Sequence, residues 1–368
     1  MIKLNDSVNF NPFSFEFTEN GNSYSLSRVI PRENKDVVSG SNIKYISIFV
    51  TNACNLNCPY CYEKNKHKQT MSLECVDKIC QVFGSDIRRI SFFGGEPLIE
   101  KEFIKKAHKK FLTNNPDTFF SVITNALLLN SDFIDFIISS RINQIGVSWD
   151  GFGDTSRYGY DAEKADTVLQ KIHALKANGI NVSVRMTVSE TDLSDLIKSF
   201  DYLADNDIPF NIEPAFFYDN MDISDNIYST LLEYYNIIGV KIKKTTDYAR
   251  LERQLASGMY KYYGCAAGRH AITINTNGDI YDCHRMMENT DNYLGNVFSI
   301  NAASQINNKK FYKNKCNLRK ECKECDFRFI CGGGCTYAHS NKYCEIIKAK
   351  YKTLLSAIWT ENRMHFIE

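Results

Sequence analysis

The chain has almost no net charge, no long apolar run and no low-complexity tract, and each absence removes a class of function. A formal charge of +1 over 368 residues gives no general attraction to nucleic acid or to an anionic membrane surface. No apolar run approaches the roughly 20 residues that a membrane-spanning helix needs. The opening residues, MIKLNDSVNFNPFSF, contain no apolar core of a secretory signal. We therefore expect a cytoplasmic protein with neither a nucleic-acid nor a membrane partner.

Cysteine is also missing from the middle of the chain, between residues 81 and 264, although the sequence holds 13 cysteines. Three lie at positions 54, 58 and 61, two at 75 and 80, and eight between 265 and 344. Disulfides rarely persist in a reducing cytosol, so clustered cysteines there more often bind a metal. Cys75 and Cys80 have no ligand spacing and lie in a predicted helix, so we expect them to be small buried side chains.

Short β-rich runs alternate with helical patterns from residue 44 to about residue 215. The predicted strands are 45–50, 89–93, 119–124, 144–149, 181–188 and 209–214. The predicted helices between them lie near 71–83, 101–112, 131–139, 161–178 and 191–204. This α/β alternation is typical of parallel strands with crossover helices, in an open sheet or a partial barrel.

The flanking segments have different patterns. Residues 1–43 contain alternating aromatic side chains around Asn20 and Gly21, which predicts a β-hairpin appendage. We expect this hairpin either to offer a strand edge to an extended peptide or to cap the barrel. A helical bridge (216–263), an irregular cysteine-rich domain (264–350) and a C-terminal helix (351–368) complete the predicted organisation after the barrel (44–215).

The first cysteine cluster lies in ACNLNCPYCY, just after the first strand of the alternating region. Its spacing, C-x3-C-x2-C, places the thiols of Cys54, Cys58 and Cys61 at the carboxyl end of a strand, where α/β folds gather their active sites. Two interpretations fit this loop alone. One is an iron–sulfur cubane with one iron open to an external ligand, and the other is a zinc site completed by a distant residue such as His67.

A second motif favours the cubane. FFGGEP ends the second strand with Gly94, Gly95 and Glu96, where two glycines permit a close approach and a carboxylate can accept hydrogen bonds from an ammonium group. Together the two motifs resemble those of the radical S-adenosylmethionine (SAM) enzymes. The resemblance implies a partial (β/α)6 TIM-like barrel and a 4Fe–4S cluster whose open iron chelates SAM. Reductive cleavage of SAM would then yield a 5′-deoxyadenosyl radical.

The resemblance implies further cofactor contacts at the ends of later strands. TNA (124–126) and SWDG (148–151) resemble family positions near the cofactor, and an arginine is expected to pair with the SAM carboxylate. The expected SAM-binding residues are Gly94, Gly95, Glu96, Asn125, Ser148 and Asp150, with Arg185 or Arg157 for the carboxylate.

The C-terminal cysteines read C-x12-G-x4-C, a gap, and then C-x2-C-x5-C-x3-C-x8-C. This order resembles the SPASM extension of the radical SAM family, a small irregular α+β domain that holds two auxiliary clusters, so three 4Fe–4S clusters per chain are implied. The implied ligands are Cys265, Cys283 and Cys335 for the first auxiliary cluster, and Cys322, Cys325, Cys331 and Cys344 for the second. The additional Cys316 either completes the first cluster or stands free. Two zinc-ribbon-like sites are the alternative.

SPASM enzymes mostly modify peptides, so the resemblance implies a radical SAM oxidoreductase that acts on a ribosomally made precursor peptide with a leader segment. The expected product is an oxidative crosslink, either carbon–carbon (cyclophane) or thioether, with an auxiliary cluster accepting an electron. The expected partners are the precursor peptide and a flavodoxin- or ferredoxin-type reductant, and we expect a monomer.

Two alternatives stay open. One is anaerobic sulfatase maturation, which forms formylglycine, and the other, of a different class, is a non-catalytic iron–sulfur electron-transfer protein. Sulfatase-maturing enzymes typically carry Asp after the Gly-x4-Cys cysteine and Gln before GGEP, where this chain has His284 and Phe93. Asp282, His284 and Glu213 are the candidate catalytic residues for proton transfer.

Overall fold

The N-terminal segment folds as a small antiparallel sheet. The computed structural model describes residues 1–27, 31, 43–64, 66, 68–153, 162–189, 191–216, 222–287, 289–299, 306, 315–338 and 340–364. The sheet has the order β1 (Ile2–Lys3), β2 (Val8–Asn11), β3 (Glu16–Glu19) and β4 (Asn22–Ser25). Asn20 and Gly21 have φ of +52° and +85°, as a tight two-residue hairpin turn requires. The predicted hairpin is therefore the last turn of a four-stranded sheet.

A second sheet forms the centre of the protein. Six parallel strands follow one another in chain order: β5 (Tyr45–Thr51), β6 (Arg89–Gly94), β7 (Phe119–Thr124), β8 (Ile142–Ser148), β9 (Val182–Val188) and β10 (Phe210–Pro214). Among the described residues β10 lies at one edge of this sheet, so the barrel does not close. The predicted partial (β/α)6 barrel is confirmed in this open form.

Helices connect the parallel strands, as a parallel sheet requires. They are α1 (Leu73–Phe83), α2 (Lys101–Asn114), α3 (Ser131–Ser139), α4 (Ala162–Ala177) and α5 (Leu193–Asp205). Ser72 and Asn130 cap α1 and α3 by accepting a hydrogen bond from the backbone N–H three residues on. Cys75 and Cys80 are buried on the apolar face of α1, as predicted.

The C-terminal hairpin continues the same sheet. Strand β11 (Ala271–Ile274) pairs in parallel with β5, and β12 (Asp279–Tyr281) and β13 (Tyr293–Asn296) follow it in antiparallel order. The register aligns Ala271 with Tyr45 and Ile274 with Ile48. The hairpin that leads to Cys283 thus shares a sheet with the barrel.

Four helices follow the barrel in the described part of the chain. The predicted bridge consists of α6 (Asp225–Ile237) and α7 (Thr246–Ser257), which are separated by a 3-10 turn at Gly239–Lys244. A short helix, α8 (Arg328–Cys331), precedes the long helix α9 (Asn341–Asn362). Ser340 caps α9, so this helix begins earlier than the predicted start at residue 351. Within the described residues, no helix is long and apolar enough to cross a membrane.

Trp359 on α9 attaches the N-terminal sheet to the rest of the fold. Its ring lies 5.5 Å from that of Phe17 and 5.3 Å from that of Tyr24, measured between centroids, and it is 5% exposed. We expect Trp359→Ala to lower the free energy of unfolding by about 3–5 kcal/mol, because it removes a large buried ring. Ile237→Ala, at a position 53% exposed, should change it by less than about 0.5 kcal/mol. Urea denaturation measures the free energy of unfolding of each variant. If the two variants lost the same amount of stability, the packing assigned to Trp359 would be contradicted.

Candidate active site

One cavity of about 220 Å³ opens at the carboxyl ends of the parallel strands. Most of the residues predicted to bind clusters or cofactor in the barrel line it together: Cys54, Cys58, Cys61, Gly94, Gly95, Glu96, Asn125, Ser148 and Arg185. The candidate proton acceptors Glu213 and His284 line it too. Arg157 and His67 lie outside the described residues.

Three contacts hold the cysteine loop over this cavity. Asn125 at the end of β7 donates a hydrogen bond from its side-chain amide to Asn55 Oδ1, at 2.8 Å. Tyr60 donates its hydroxyl hydrogen bond to Asp150. Lys66 Nζ lies 2.5 Å from the carbonyl oxygen of Leu56, within the loop. The loop is thus fixed to the ends of two strands and to its own following segment.

The tyrosine contact gives Asp150 a partner within the protein. Its carboxylate is fully buried, and it accepts hydrogen bonds from Tyr60 and from the backbone N–H of Thr187, at 3.0 Å. Asp150 does not line the cavity. In this structure it is a hydrogen-bond partner of the cysteine loop.

The two glycines of GGEP permit a close approach between strands. A Cβ on Gly95 would lie 2.3 Å from the carbonyl oxygen of Ala53, and one on Gly94 would lie 2.4 Å from that of Thr51. In this space the backbone N–H of Gly95 donates to Thr51 O at 2.9 Å, and that of Glu96 donates to Ala53 O at 2.8 Å. The glycines therefore bring GGEP against the backbone that leads into Cys54.

The Glu96 carboxylate is buried and already accepts three hydrogen bonds. They come from Thr124 Oγ1 at 2.6 Å, from the backbone N–H of Asn125 at 2.8 Å and from that of Leu98 at 3.0 Å. This carboxylate ties GGEP to the end of β7. It lines the cavity, so it also brings negative charge to the wall beside the cysteines.

Arg185 on β9 brings positive charge to the wall of the cavity. Its side chain lines the cavity and is exposed there, and its guanidinium makes no hydrogen bond and no ion pair with the described residues. Burial, and next the nearby Arg285, lower the pKa of Arg185 from its ordinary value. An arginine that lines a cavity and has no ion-pair partner among the described residues is suited to bind an anionic group.

The three candidate proton acceptors have different surroundings. Asp282 does not line the cavity, because it is buried and accepts hydrogen bonds from Asn292 and Tyr337. His284 lies against Tyr62 and Phe93, with ring centroids 5.2 and 5.1 Å away. Burial, Arg285 and Arg185 lower the pKa of His284 to about 3, so its imidazole is neutral and a weak base. Glu213 faces the cavity as a carboxylate.

The C-terminal cysteines form two groups. Burial raises the pKa of Cys283 to about 12, and the thiols of Cys265 and Cys335 add to that rise. Gly264 and Gly334 allow the backbones beside Cys265 and Cys335 to approach closely. A Cβ on Gly264 would lie 1.8 Å from the carbonyl oxygen of Gly334. This group matches the ligand set implied for the first auxiliary cluster.

The second group contains Cys316 in addition to the four implied ligands. Burial raises the pKa of Cys322, Cys331 and Cys344, and in each case neighbouring cysteines of this group, Cys322 or Cys325 among them, raise it further. Burial also raises the pKa of Cys316 to about 12, followed by the thiols of Cys322 and Cys331. Cys316 therefore lies with the second group, and the described residues supply three thiols to the first.

The donor set of the cavity fits an iron–sulfur cluster. Burial raises the pKa of Cys54 to about 11, so as a free thiol it stays protonated, whereas cluster iron would bind its thiolate. Among the described residues, no three His, Cys, Asp or Glu side chains are placed to hold a metal ion. The ligands of a cubane bind different irons and need not converge on one ion.

Sequence reasoning missed two residues near the cavity. Arg285, directly after His284, lines it, and no motif indicated that role. Lys350 on α9 is buried and contacts Glu213. The signal for Lys350 was available, because it occupies the apolar stripe that runs through Ile346, Ile347 and Leu354. A lysine in such a stripe predicts a buried acidic partner.

Comparison with known proteins agrees with this geometry. Residues 48–203 match the sequence model described as the Radical SAM superfamily. The chain contains a radical SAM domain. It is 23% identical over 349 residues to the radical SAM cyclopropyl synthase TigE of Paramaledivibacter caminithermalis, covering 84% of this chain and 71% of TigE. It is also 32% identical to the GTP 3′,8-cyclase of Chlorobaculum tepidum, over 114 residues that cover 30% of this chain and 34% of that enzyme.

Two solved structures share the fold over most of the chain. The native anSMEcpe structure with bound AdoMet and Cp18Cys peptide superposes with a TM-score of 0.69 at 19% identity, covering 87% of this chain and 99% of that one. SuiB of Streptococcus suis bound to its precursor peptide SuiA gives a TM-score of 0.61 at 17% identity, covering 80% and 72%. The similarity extends beyond residues 48–203, so it includes part of the sequence outside the radical SAM domain.

Gly95→Ala tests the close approach at GGEP. The new Cβ would meet backbone oxygens of residues 52 and 53, which cannot move without displacing Cys54. We expect a loss of the SAM-dependent change in the electron paramagnetic resonance (EPR) spectrum of the reduced, reconstituted protein. Gly239→Ala is the control, since its φ of +52° costs about 1–2 kcal/mol in strain but nothing lies within 4 Å. A normal spectrum for Gly95→Ala would contradict this role.

Proposed function

We propose that this protein is a radical SAM peptide maturase that installs an oxidative crosslink in a ribosomally made precursor peptide. The observation that carries the proposal is the position of Arg185. Its guanidinium has no partner among the described residues, and it shares one cavity with the three cysteines of the C-x3-C-x2-C loop. The cysteine thiols are soft ligands for iron, and the Arg185 guanidinium can bind a carboxylate. Together they suit a cofactor that contacts cluster iron and also carries a carboxylate.

In this proposal Cys54, Cys58 and Cys61 hold a 4Fe–4S cluster, and Arg185 binds the SAM carboxylate. When bound, the cluster and SAM supply the 5′-deoxyadenosyl radical that abstracts a hydrogen atom from the substrate. Ser148 and Asn125 face the same space and are available for polar contacts with the cofactor. Tyr60, Asp150 and Lys66 keep the cysteine loop in place while these groups bind.

The C-terminal cysteines are the basis for the oxidative step in this proposal. Cys265, Cys283 and Cys335 are assigned to the first auxiliary cluster, and Cys322, Cys325, Cys331 and Cys344 to the second. Cys283 directly precedes His284, which lines the cavity, so the first cysteine group lies beside the substrate space. An electron leaving a substrate radical would have a short path to this group.

Three observations support a peptide substrate and a crosslink. The structures of anSMEcpe and SuiB that share this fold contain bound peptides. Phe93 and His284, the two departures from the sulfatase-maturing pattern, contact each other in one aromatic wall of the cavity. That wall leaves no Asp and no Gln at the two places where the sulfatase-maturing enzymes typically carry them. We therefore favour crosslinking over formylglycine formation.

Glu213 is our candidate for the proton acceptor. It is a carboxylate that lines the cavity, whereas Asp282 is enclosed by Asn292 and Tyr337 and His284 is a weak base. Loss of a proton from a substrate radical accompanies its oxidation, so the acceptor needs direct access to the substrate space. Glu213 meets this requirement at the end of β10.

Cys54→Ala tests the central assignment. We expect the reconstituted variant, supplied with reductant and SAM, to form no 5′-deoxyadenosine, because the loop loses one ligand of its cluster. Cys325→Ala should still form 5′-deoxyadenosine but yield no modified peptide. Cys75→Ala, a buried cysteine on α1, serves as the control and should retain both reactions. Formation of 5′-deoxyadenosine by Cys54→Ala at the wild-type rate would overturn the assignment, and its absence from wild type would favour a non-catalytic iron–sulfur protein.

Mass spectrometry distinguishes the two candidate reactions. The protein is co-expressed with each short peptide encoded beside its gene, and with a sulfatase peptide that carries the Ser or Cys target. We expect loss of two hydrogens per event in a precursor peptide, with no reaction of the product towards a hydrazide. A hydrazide-reactive aldehyde in the sulfatase peptide would instead support formylglycine formation.

A further inference from the structure

A buried network of charges lies behind the cavity. Lys350, 6% exposed, places its Nζ 2.6 Å from Asp247 Oδ2 and 3.4 Å from Glu213 Oε1. Asp247 also accepts a hydrogen bond from Arg250, at 3.1 Å. Burial alone would lower the pKa of Lys350, but Glu213 and Asp247 outweigh it and hold that pKa well above its ordinary value. Lys350 is thus a fixed cation behind the wall of the cavity.

Glu213 connects this network to the cavity and to Arg185. In the register of β9 and β10, Arg185 aligns with Asn211, and Glu213 is two residues beyond Asn211 on the same face of the sheet. Arg185 and Glu213 both line the cavity, and Glu213 acts on Arg185 electrostatically by raising its pKa. Despite this proximity the two side chains form no ion pair, and the carboxylate contacts Lys350 instead.

Without Lys350, the Glu213 carboxylate would lose its ion pair and would still share the cavity with the Arg185 guanidinium. A carboxylate can bind a neighbouring guanidinium through two charge-assisted hydrogen bonds. An Arg185–Glu213 pair would occupy the guanidinium and oppose any anion that enters the cavity. The network therefore determines whether Arg185 is available.

We infer that Lys350 is a positioning residue, which holds Glu213 away from Arg185 and so keeps the guanidinium free to bind the carboxylate of SAM. This inference rests on the proposed function, in which Arg185 contacts SAM. Lys350 itself touches neither cofactor nor substrate. It acts from α9, the helix that also carries Cys344 in its first turn.

SAM binding to the oxidised, reconstituted protein tests the inference, because no cleavage occurs without reductant. Affinity is measured by anaerobic equilibrium titration and normalised to the iron content of each variant. Lys350→Met should weaken SAM binding about tenfold, and Lys350→Arg should retain it. The double variant Lys350→Met/Glu213→Gln should return to within about threefold of wild type, since the competing charge is gone. Lys352→Met, an exposed lysine on the same helix, is the control and should bind normally.

Arg185→Met separates this inference from the proposed function on which it rests. If Arg185→Met binds SAM normally, the proposed role of Arg185 fails. If Arg185→Met weakens binding but Lys350→Met does not, or if the double variant stays as weak as Lys350→Met, the positioning role of Lys350 is overturned. If Lys350→Met does not fold, Lys350→Gln replaces it in the SAM-binding measurements, because glutamine can keep a polar contact with Asp247.

Discussion

The backbone hydrogen bonds between GGEP and residues 51–53 are the constraint on which the rest of the site depends. They join the ends of two neighbouring parallel strands at a separation that only glycine allows, because a Cβ at position 95 would overlap the carbonyl oxygens of residues 52 and 53. The cysteine loop begins at this junction. Its direction over the cavity is therefore set by strand pairing rather than by the cysteines themselves.

The acidic side chains in and near the cavity have partners within the protein, whereas Arg185 has no ion pair among the described residues. The carboxylates of Glu96 and Asp150 accept hydrogen bonds from the protein, and that of Glu213 contacts Lys350. Arg185 forms no ion pair with the described residues. A cavity built in this way attracts an anionic group to one defined position, because the acidic side chains nearby are already engaged.

Sequence alone predicted the elements that depend on local pattern. The strand and helix alternation identified the barrel, and the spacing of the cysteines and GGEP identified six of the residues that line the cavity. The partners of Asp150 were not predicted, because SWDG gives the position of its carboxylate at a strand end but not the direction of its side chain. Asp282 was a poor candidate for the same reason, since its partner Tyr337 lies far along the chain. Cys316 could not be placed because its neighbours depend on how the loop around Gly333 folds.

The pairing of β11 with β5 has a consequence for the order in which this protein can be assembled. During synthesis β5 is complete long before residues 271–274 emerge, so one edge of the parallel sheet lacks its neighbour for most of translation. The same interval leaves the thiols at positions 54, 58 and 61 without the loop that carries His284 and Arg285. A chain truncated before β11 would present a bare sheet edge, which is prone to aggregation.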